Sequence, residues 1–341
     1  MSTHDIERML DGGAPLWFDE SPRPEIPGHL GAVVATSGTT GSRRLVALSR
    51  HALLAAADSA IQHAGTLTWH LALPPHHVAG LMVAVRSLRA GRPVPEAGPD
   101  LAGLRPTGCG DAISLVPTQL HRALTDPVLT GCLAAFDLVL VGGAALGDEL
   151  RERSEAARIK VVESYGMSET CGGVVWDGHP LPGVGIGIDD GRVTVTGPML
   201  FDGYLGDPEA TAAALVAGRL LTRDRGHLLD GRLHIDGRID DIVISGGVNI
   251  DLAEVRAAVT RLAPEAAVIA VPDPEWGCRI VVMDQTRDLD WWRTTLADHL
   301  PRTWLPRQHL GHPVPLTGAG KPDRAAMTRL AEAEHTTMSS S

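Results

Sequence analysis

The sequence predicts an α/β protein with a large N-terminal domain, residues 1–238, and a small C-terminal α+β domain, residues 239–335. A tail at 336–341 is expected to be disordered. Three observations carry the prediction. Between residues 31 and 166 apolar strand-like runs alternate with helical stretches, the pattern of a parallel sheet with helices on its faces. From about residue 174 short strands and turns take over, as in "GRVTVTG" and "RLLTRDRGHLLDGRLHIDGR", which suggests a small antiparallel sheet or barrel. After Arg238 a helix, two strands and two further helices make a unit of roughly one hundred residues, near the small end of domain size.

Taken in order, the first thirty residues are rich in Pro, Gly and charge and show no long periodic segment. A strand at 31–36 runs into a Thr/Ser/Gly loop, and a second strand covers 45–48. "SRHALLAAADSAIQHAG" reads as a helix capped by Ser49. "TLTWHLALP" reads as a strand and "HVAGLMVAVRSLRAG" as a buried helix ending at Gly91. Residues 92–110 read as loop. Then come strand "AISLVP", helix "TQLHRALTD", strand "DLVLVGG", helix "LGDELRERSEAAR" and strand "IKVVESYG". The loops after the strands should face one crevice at the carboxyl end of a sheet. In the small domain, Leu252, Val255, Val259 and Leu262 fall on one helical face, opened by an Asp251–Glu254 capping box. Strands at 266–271 and 279–283 and helices near 289–299 and from 323 follow.

Composition narrows the function classes. The chain has 341 residues and a formal net charge of -11, which disfavours nucleic acid and anionic lipid as partners. It shows no signal-peptide pattern at its start and no apolar run long enough for membrane insertion. Cys109, Cys132, Cys171 and Cys278 are scattered without a CxxC pair and read as reduced thiols of a cytoplasmic protein. Arginine is abundant, but Lys160 and Lys321 are the only lysines, Tyr165 and Tyr204 the only tyrosines and Asn249 the only asparagine. Where such avoided residues appear, a specific chemical need is a natural reading. Lys160, on a charged stretch, is read as a chance occurrence.

Seven residues drawn only from Thr, Ser and Gly, Thr36 to Ser42, precede Arg43-Arg44. Hydroxyls and open amides suit phosphate oxygens, yet Gly38 and Gly41 are too close for a Walker loop and no lysine follows. "GMSET" approaches a GxSxG nucleophile elbow but lacks the last Gly, and "GVGIGIDDG" at 183–191 fails the dinucleotide spacing.

Five motifs in order resemble the adenylate-forming superfamily of acyl-CoA synthetases, adenylation domains and luciferases: "TSGTTGSRR", "GGAAL", "SYGMSET", "TRDRG…GRIDD" and "GAGK". Within it, "LPPHHVAG", "YGMSETCGG" and the short length most resemble the o-succinylbenzoate–CoA ligases of menaquinone biosynthesis, with the N-terminal subdomain truncated. The resemblance implies an ATP-dependent ligase that forms an acyl-adenylate and then a CoA thioester, with Mg²⁺ as cofactor and ATP and CoA as cosubstrates. It also allows a homodimer.

The site residues follow from the same resemblance. Thr36, Ser37, Gly38, Thr39, Thr40 and Gly41 would hold phosphates, and Arg44 would replace the usual loop lysine. Gly142, Gly143 and Ala144 with Ser164, Tyr165, Gly166, Met167 and Ser168 would seat AMP. Glu169 would ligate the metal, and Asp224, with Arg238 nearby, the ribose. His77 and Gly80 would border the acid pocket, although His77 can equally be a helix cap. Ser245, Gly246 and Gly247 would line the CoA tunnel, unless they are only a hairpin turn. Asp240 would be the hinge and Lys321 the catalytic lysine. The acid's second carboxylate could be met by Arg86, Thr118 or His77. Two alternatives stay open: a different aryl, fatty-acid or carrier-protein ligase of the superfamily, and a nucleotide-binding pseudoenzyme.

Overall fold

In the computed structural model, residues 2–36, 44–317 and 322–338 are described. The chain packs as two units: residues up to 222 with 227–234, and residues 223–226 with those from 235 onward.

The first unit opens with α1 (Thr3–Leu10), where no periodic segment was expected. Its apolar signal is Ile6, Met9 and Leu10, barely one turn of spacing and too short to read as a period. Its start is written in the Ser2–Asp5 capping box. Then come β1 (Leu16–Phe18), β2 (Leu30–Thr36), β3 (Arg44–Ser49) and α2 (Arg50–Ala64). Ser49 caps α2, accepting from the Ala52 amide at 3.2 Å, as the sequence indicates. β4 (Thr68–His70), α3 (Val78–Arg89), β5 (Asp111–Leu115), α4 (Pro117–Ala123), α5 (Pro127–Ala134), β6 (Leu138–Gly142), α6 (Asp148–Ala156) and β7 (Val161–Met167) complete the alternating stretch. Helix α5, capped by Asp126, is an element the reading missed.

Strands β4 to β7 are parallel, and β8 (Gly172–Trp176) and β9 (His179–Pro180) extend the sheet antiparallel, in the order β4-β5-β6-β7-β8-β9. The strand before the Thr/Ser/Gly loop is not part of it. β2 pairs antiparallel with β3 in a separate four-stranded sheet, β1-β2-β3-β12. The reason is length: residues 37–43 are too few for the crossover that parallel neighbours need, which takes a dozen residues or more. The expectation of one common sheet is corrected accordingly.

β10 (Gly185–Asp189), β11 (Arg192–Thr196), β12 (Gly203–Tyr204), α7 (Pro208–Ala214), β13 (Leu215–Val216), β14 (Arg219–Leu229) and β15 (Arg232–Arg238) follow. Apart from β12 these strands form the expected small sheet, in the order β10-β11-β14-β13 with β15 on β14.

The second unit contains β16 (Ile242–Ser245), β17 (Val248–Asp251), α8 (Leu252–Leu262), β18 (Ala267–Asp273), β19 (Gly277–Met283), α9 (Leu289–Leu296), β20 (Gln308–Leu310) and α10 (Arg324–Met338). β18, β19 and β20 form one sheet. Val268, Ile280 and Val282 join α8 and α9 in one apolar cluster; Ile269, Val271, Val281 and Met283 join Met327 and Ala331 of α10 in the other. The period of two along each strand thus divides the residues between two faces. Asp251 caps α8 at the Ala253 amide, 2.9 Å, rather than through the expected box with Glu254, and its second oxygen meets Arg225. α10 runs to Met338, into the tail expected to be disordered. No helix among the described residues is long and apolar enough to cross a membrane.

Candidate active site

Five of the phosphate-loop residues assigned from the sequence, Ser37, Gly38, Thr39, Thr40 and Gly41, lie outside the described residues, as does Lys321. The edges of the loop are described. Thr36 ends β2 and donates its hydroxyl to the Arg44 carbonyl at 3.4 Å. Arg44 opens β3 and lays its guanidinium over the Tyr204 ring, 5.0 Å from the centroid. The Tyr204 hydroxyl donates to Glu169 Oε1 at 2.8 Å. One phenol therefore touches both the proposed phosphate cation and the proposed metal ligand. Burial, and then the neighbouring Glu169 carboxylate, push the phenol pKa up, so it stays a donor. Sequence reading gave Tyr204 no role, although its rarity was the signal that could have found it.

Glu169 lies in a single 3-10 turn, Ser168–Thr170, directly after β7. Ser164, Tyr165 and Gly166 lie in β7, in keeping with the strand expected at "IKVVESYG", and Met167 ends it. Gly166 is needed for packing: a Cβ there would stand 2.0 Å from the Gly172 carbonyl oxygen on β8. The turn after it is closed by the Thr170 hydroxyl, which accepts from the Met167 amide at 2.9 Å and donates to the Gly172 carbonyl at 2.7 Å. Gly142 ends β6 beside Ser164, and Gly143 takes φ +85°. Ala144 is exposed. Glu163 of β7 holds the segment after them, accepting the Leu146 amide at 3.0 Å while pairing with Arg151. So the second and third motifs are neighbours on β6 and β7.

Helix α3 packs under this turn, with Met82 3.6 Å from where a Gly172 Cβ would stand. His77 occupies the N-cap of α3 but makes no side-chain capping bond, and its ring lies 4.4 Å from that of His76. A Gly80 side chain would collide with the Leu73 and Pro74 carbonyls at 2.5 and 2.3 Å, which gives Gly80 a packing reason of its own. Thr118 is exposed on α4. Arg86 is different: it is 3% exposed in the middle of α3. Its guanidinium lies 5.0 Å from the Trp69 ring centroid and 5.9 Å from that of Trp176. Arg86 Nε and Trp176 Nε1 are both buried without a hydrogen-bond partner, and among the described residues no carboxylate pairs with the guanidinium. Burial pulls its pKa down to about 10.

In the second unit, Arg238 forms a fork with Asp240, at 2.9 and 3.2 Å, and lies 3.6 Å from Asp224. Burial opposes both charges, but the pair outweighs it: Asp240 is held below, and Arg238 above, its ordinary value. The next residue, Asp241, is buried and takes Arg256, at 2.8 Å, and Arg324, at 3.4 Å. Gly246 and Gly247, at φ +58° and +76°, form the two-residue turn of the β16–β17 hairpin. Gly246 packs on Trp276, whose ring carries Arg307 at 3.5 Å. The Ser245 hydroxyl is buried without a partner.

A strand-edge cation and a turn carboxylate, joined through one phenol beside a glycine-lined pair of strand ends, suit an enzyme that handles a nucleotide phosphate. Residues 6–205 match the AMP-binding enzyme family, and the chain belongs to that family. It is similar to a protein of Mycobacterium tuberculosis named "probable 2-succinylbenzoate–CoA ligase", with 37% identity over 89% of this chain and 85% of that one. It is also similar to 2-succinylbenzoate–CoA ligase of Escherichia coli K12, with 32% identity over 86% of this chain and 67% of that one. Among solved structures it resembles a variant of E. coli MenE with bound OSB-AMS, at TM-score 0.76 and 26% identity, over 97% of this chain and 80% of that one. ATP-bound MatB from Rhodopseudomonas palustris matches at TM-score 0.77 and 26% identity, over 91% and 70%.

Proposed function

We propose that the protein is an ATP-dependent acid–CoA ligase that converts 2-succinylbenzoate to 2-succinylbenzoyl-CoA, a step of menaquinone biosynthesis. Its family and the names of its relatives support the reaction class. In the first half-reaction a carboxylate oxygen bonds to the α-phosphorus of ATP as the bond to the β-phosphate oxygen breaks, releasing pyrophosphate. In the second, the CoA sulfur bonds to the acyl carbon, AMP leaves and the thiol proton is lost. Carboxylate is both a poor nucleophile and a poor electrophile, so positioning and charge neutralisation supply most of the rate.

Arg44 takes the β- and γ-phosphates as a fork. Glu169 is a single hard carboxylate, and its pairing with Tyr204 through one oxygen fits a Mg²⁺ ion that keeps mostly water and phosphate ligands. Such an ion, when bound, neutralises phosphate charge. Gly142, Gly143 and Tyr165 seat the adenine, and Asp224 and Arg238 take the ribose. Lys321 meets the reacting carboxylate and phosphate, and the Ser245–Gly247 turn lines the thiol path after rotation about Asp240.

One observation carries the identity of the acid. Arg86 is a buried cation without an anion, and burying a charge unpaired is costly. An acid with two carboxylates supplies the missing anion while its other carboxylate reacts. Arg86 suits that duty better than exposed Thr118. The test is pyrophosphate release with ATP and a panel of aromatic acids. 2-Succinylbenzoate should exceed benzoate and fatty acids in kcat/KM, and Arg86→Gln should abolish the preference. Equal use of mono- and dicarboxylates refutes the acid. No release with any acid refutes the ligase and leaves the pseudoenzyme.

A further inference from the structure

We propose that Tyr204 is a positioning residue that keeps the cation and the anion of the nucleotide site from pairing with each other, holding Glu169 by its hydroxyl and Arg44 on its ring. The inference rests on the nucleotide roles given above to Arg44 and Glu169.

The backbone arrangement explains how one side chain reaches both. β12 pairs antiparallel with β3, with Tyr204 opposite Val46. Arg44 and Val46 are two residues apart on β3 and share a face, so Arg44 is the diagonal neighbour of Tyr204. From the other side, the Phe201 amide donates to the Glu169 carbonyl at 2.9 Å, and the Tyr204 hydroxyl donates to the Glu169 carboxylate at 2.8 Å. One four-residue segment thus grips both the backbone and the side chain of Glu169. The segment is itself fixed, since the Tyr204 amide donates to the Thr211 hydroxyl on α7 at 2.8 Å.

The chemical reason follows from what each group must do. A guanidinium and a carboxylate reaching the same side chain would otherwise close into a fork-shaped ion pair, among the strongest side-chain contacts. Phosphate and metal would then have to break that pair before binding. The aromatic face and the neutral phenol oxygen, which Arg44 also reaches, hold the guanidinium more weakly than a carboxylate would and leave most of its N–H groups for phosphate. A phenol hydroxyl orients one carboxylate oxygen, satisfies it, and adds no charge. Removing the hydroxyl alone should loosen Glu169. Removing the whole side chain should let Arg44 and Glu169 meet.

The experiment is calorimetric titration of the full-length protein with ATP, with and without Mg²⁺, for the parent, Tyr204→Phe and Tyr204→Ala. Tyr204→Phe keeps the ring, so Mg²⁺-free affinity for ATP should stay within about threefold, while the tightening by Mg²⁺ should fall by about tenfold, the loss expected for a hydrogen bond to a charged group. Tyr204→Ala should also weaken Mg²⁺-free binding, and adding Glu169→Gln should restore it by freeing Arg44. A Tyr204→Phe protein with the parent's Mg²⁺ response overturns the proposal. So does a folded Tyr204→Ala protein whose Mg²⁺-free binding Glu169→Gln does not rescue. If Tyr204→Ala fails to fold by circular dichroism, the Tyr204→Phe result decides alone. Failure of the functional reading is separate: it appears as a parent that binds no ATP at all.

Discussion

Arg86→Met should make the protein more stable and less able to use its acid. Methionine keeps much of the volume and drops the charge. The cost of the charge can be worked from the site. Burial pulls the Arg86 pKa from 12.5 to about 10, which corresponds to about 3 kcal/mol spent keeping the guanidinium ionised at neutral pH. Against that stand the contacts with Trp69 and Trp176, each worth about 0.5–1 kcal/mol and more when desolvated. The net expectation is a gain of about 1–2 kcal/mol, within the range seen when buried charges give way to apolar groups of similar volume. The assay is urea unfolding of parent and variant, each with and without saturating 2-succinylbenzoate. Without acid the variant should unfold at higher urea. With acid the parent should gain stability by ligand linkage and the variant should gain little. A variant that loses more than about 1 kcal/mol without acid would refute the reasoning, because it would mean that Arg86 already has its counter-charge.

Three further outcomes are expected. Asp111, buried with His70 at 2.8 Å, has its carboxyl held low: burial would raise it, but the bonds from His70, Thr107 and Gly108 outweigh that. Its stabilisation is therefore present above the unfolded carboxylate pKa and lost as pH falls through the lower folded value. Asp111→Asn should flatten the acid limb of the stability–pH curve measured by denaturant midpoint; an unchanged limb would contradict the shift. Gly166→Ala, with a Cβ 2.0 Å from the Gly172 carbonyl, should cost about 1–3 kcal/mol by overpacking, read from the same midpoints, and a neutral result would count against the strand crossing. Asp240→Pro fixes φ near -65° and removes an amide at the proposed hinge. It should slow adenylation and thioester formation unequally in separate assays of the two half-reactions, whereas equal slowing with an intact fold would remove Asp240 from that role.

The elements that could be read from sequence are those with a long period or a strong cap. Ser49 before α2 and the face Leu252–Val255–Val259 of α8 needed no tertiary information. α1 escaped because its eight residues carry too few apolar positions to define a period, and α5 because its apolar residues fall all round a short helix. Sheet membership escaped for a different reason: a strand pattern does not name its neighbour, and only the length of the segment between β2 and β3 argued for a hairpin. In the site, motif residues could be recognised one by one, but their mutual contacts could not. Tyr204 lies 35 residues from Glu169 and Asp241 lies 83 from Arg324, and nothing local marks either pairing.

The partners of the arginines separate structural from chemical duty. Arg256 forks onto Asp241, Arg89 onto Asp58, and Arg287, though it lies over Trp291, also pairs with Asp284 and Glu265. A guanidinium so paired is neutralised and has few donors left for a ligand. Arg44, Arg86 and Arg307 sit instead on Tyr204, Trp69 and Trp276, and among the described residues no ion pair to a carboxylate accompanies them. An aromatic face holds a cation in place for less energy than a carboxylate would, and leaves its charge to be met by something else. Arg44 borders the Thr/Ser/Gly loop, and Arg86 lies on α3 between Trp69 and Trp176. Of the three only Arg86 is buried, and burial is what makes its charge costly to keep unless an anion completes it. On the proposed function, Arg44 and Arg86 would be completed by phosphate and carboxylate, whereas Arg256, Arg89 and Arg287 already have their counter-charges within the fold.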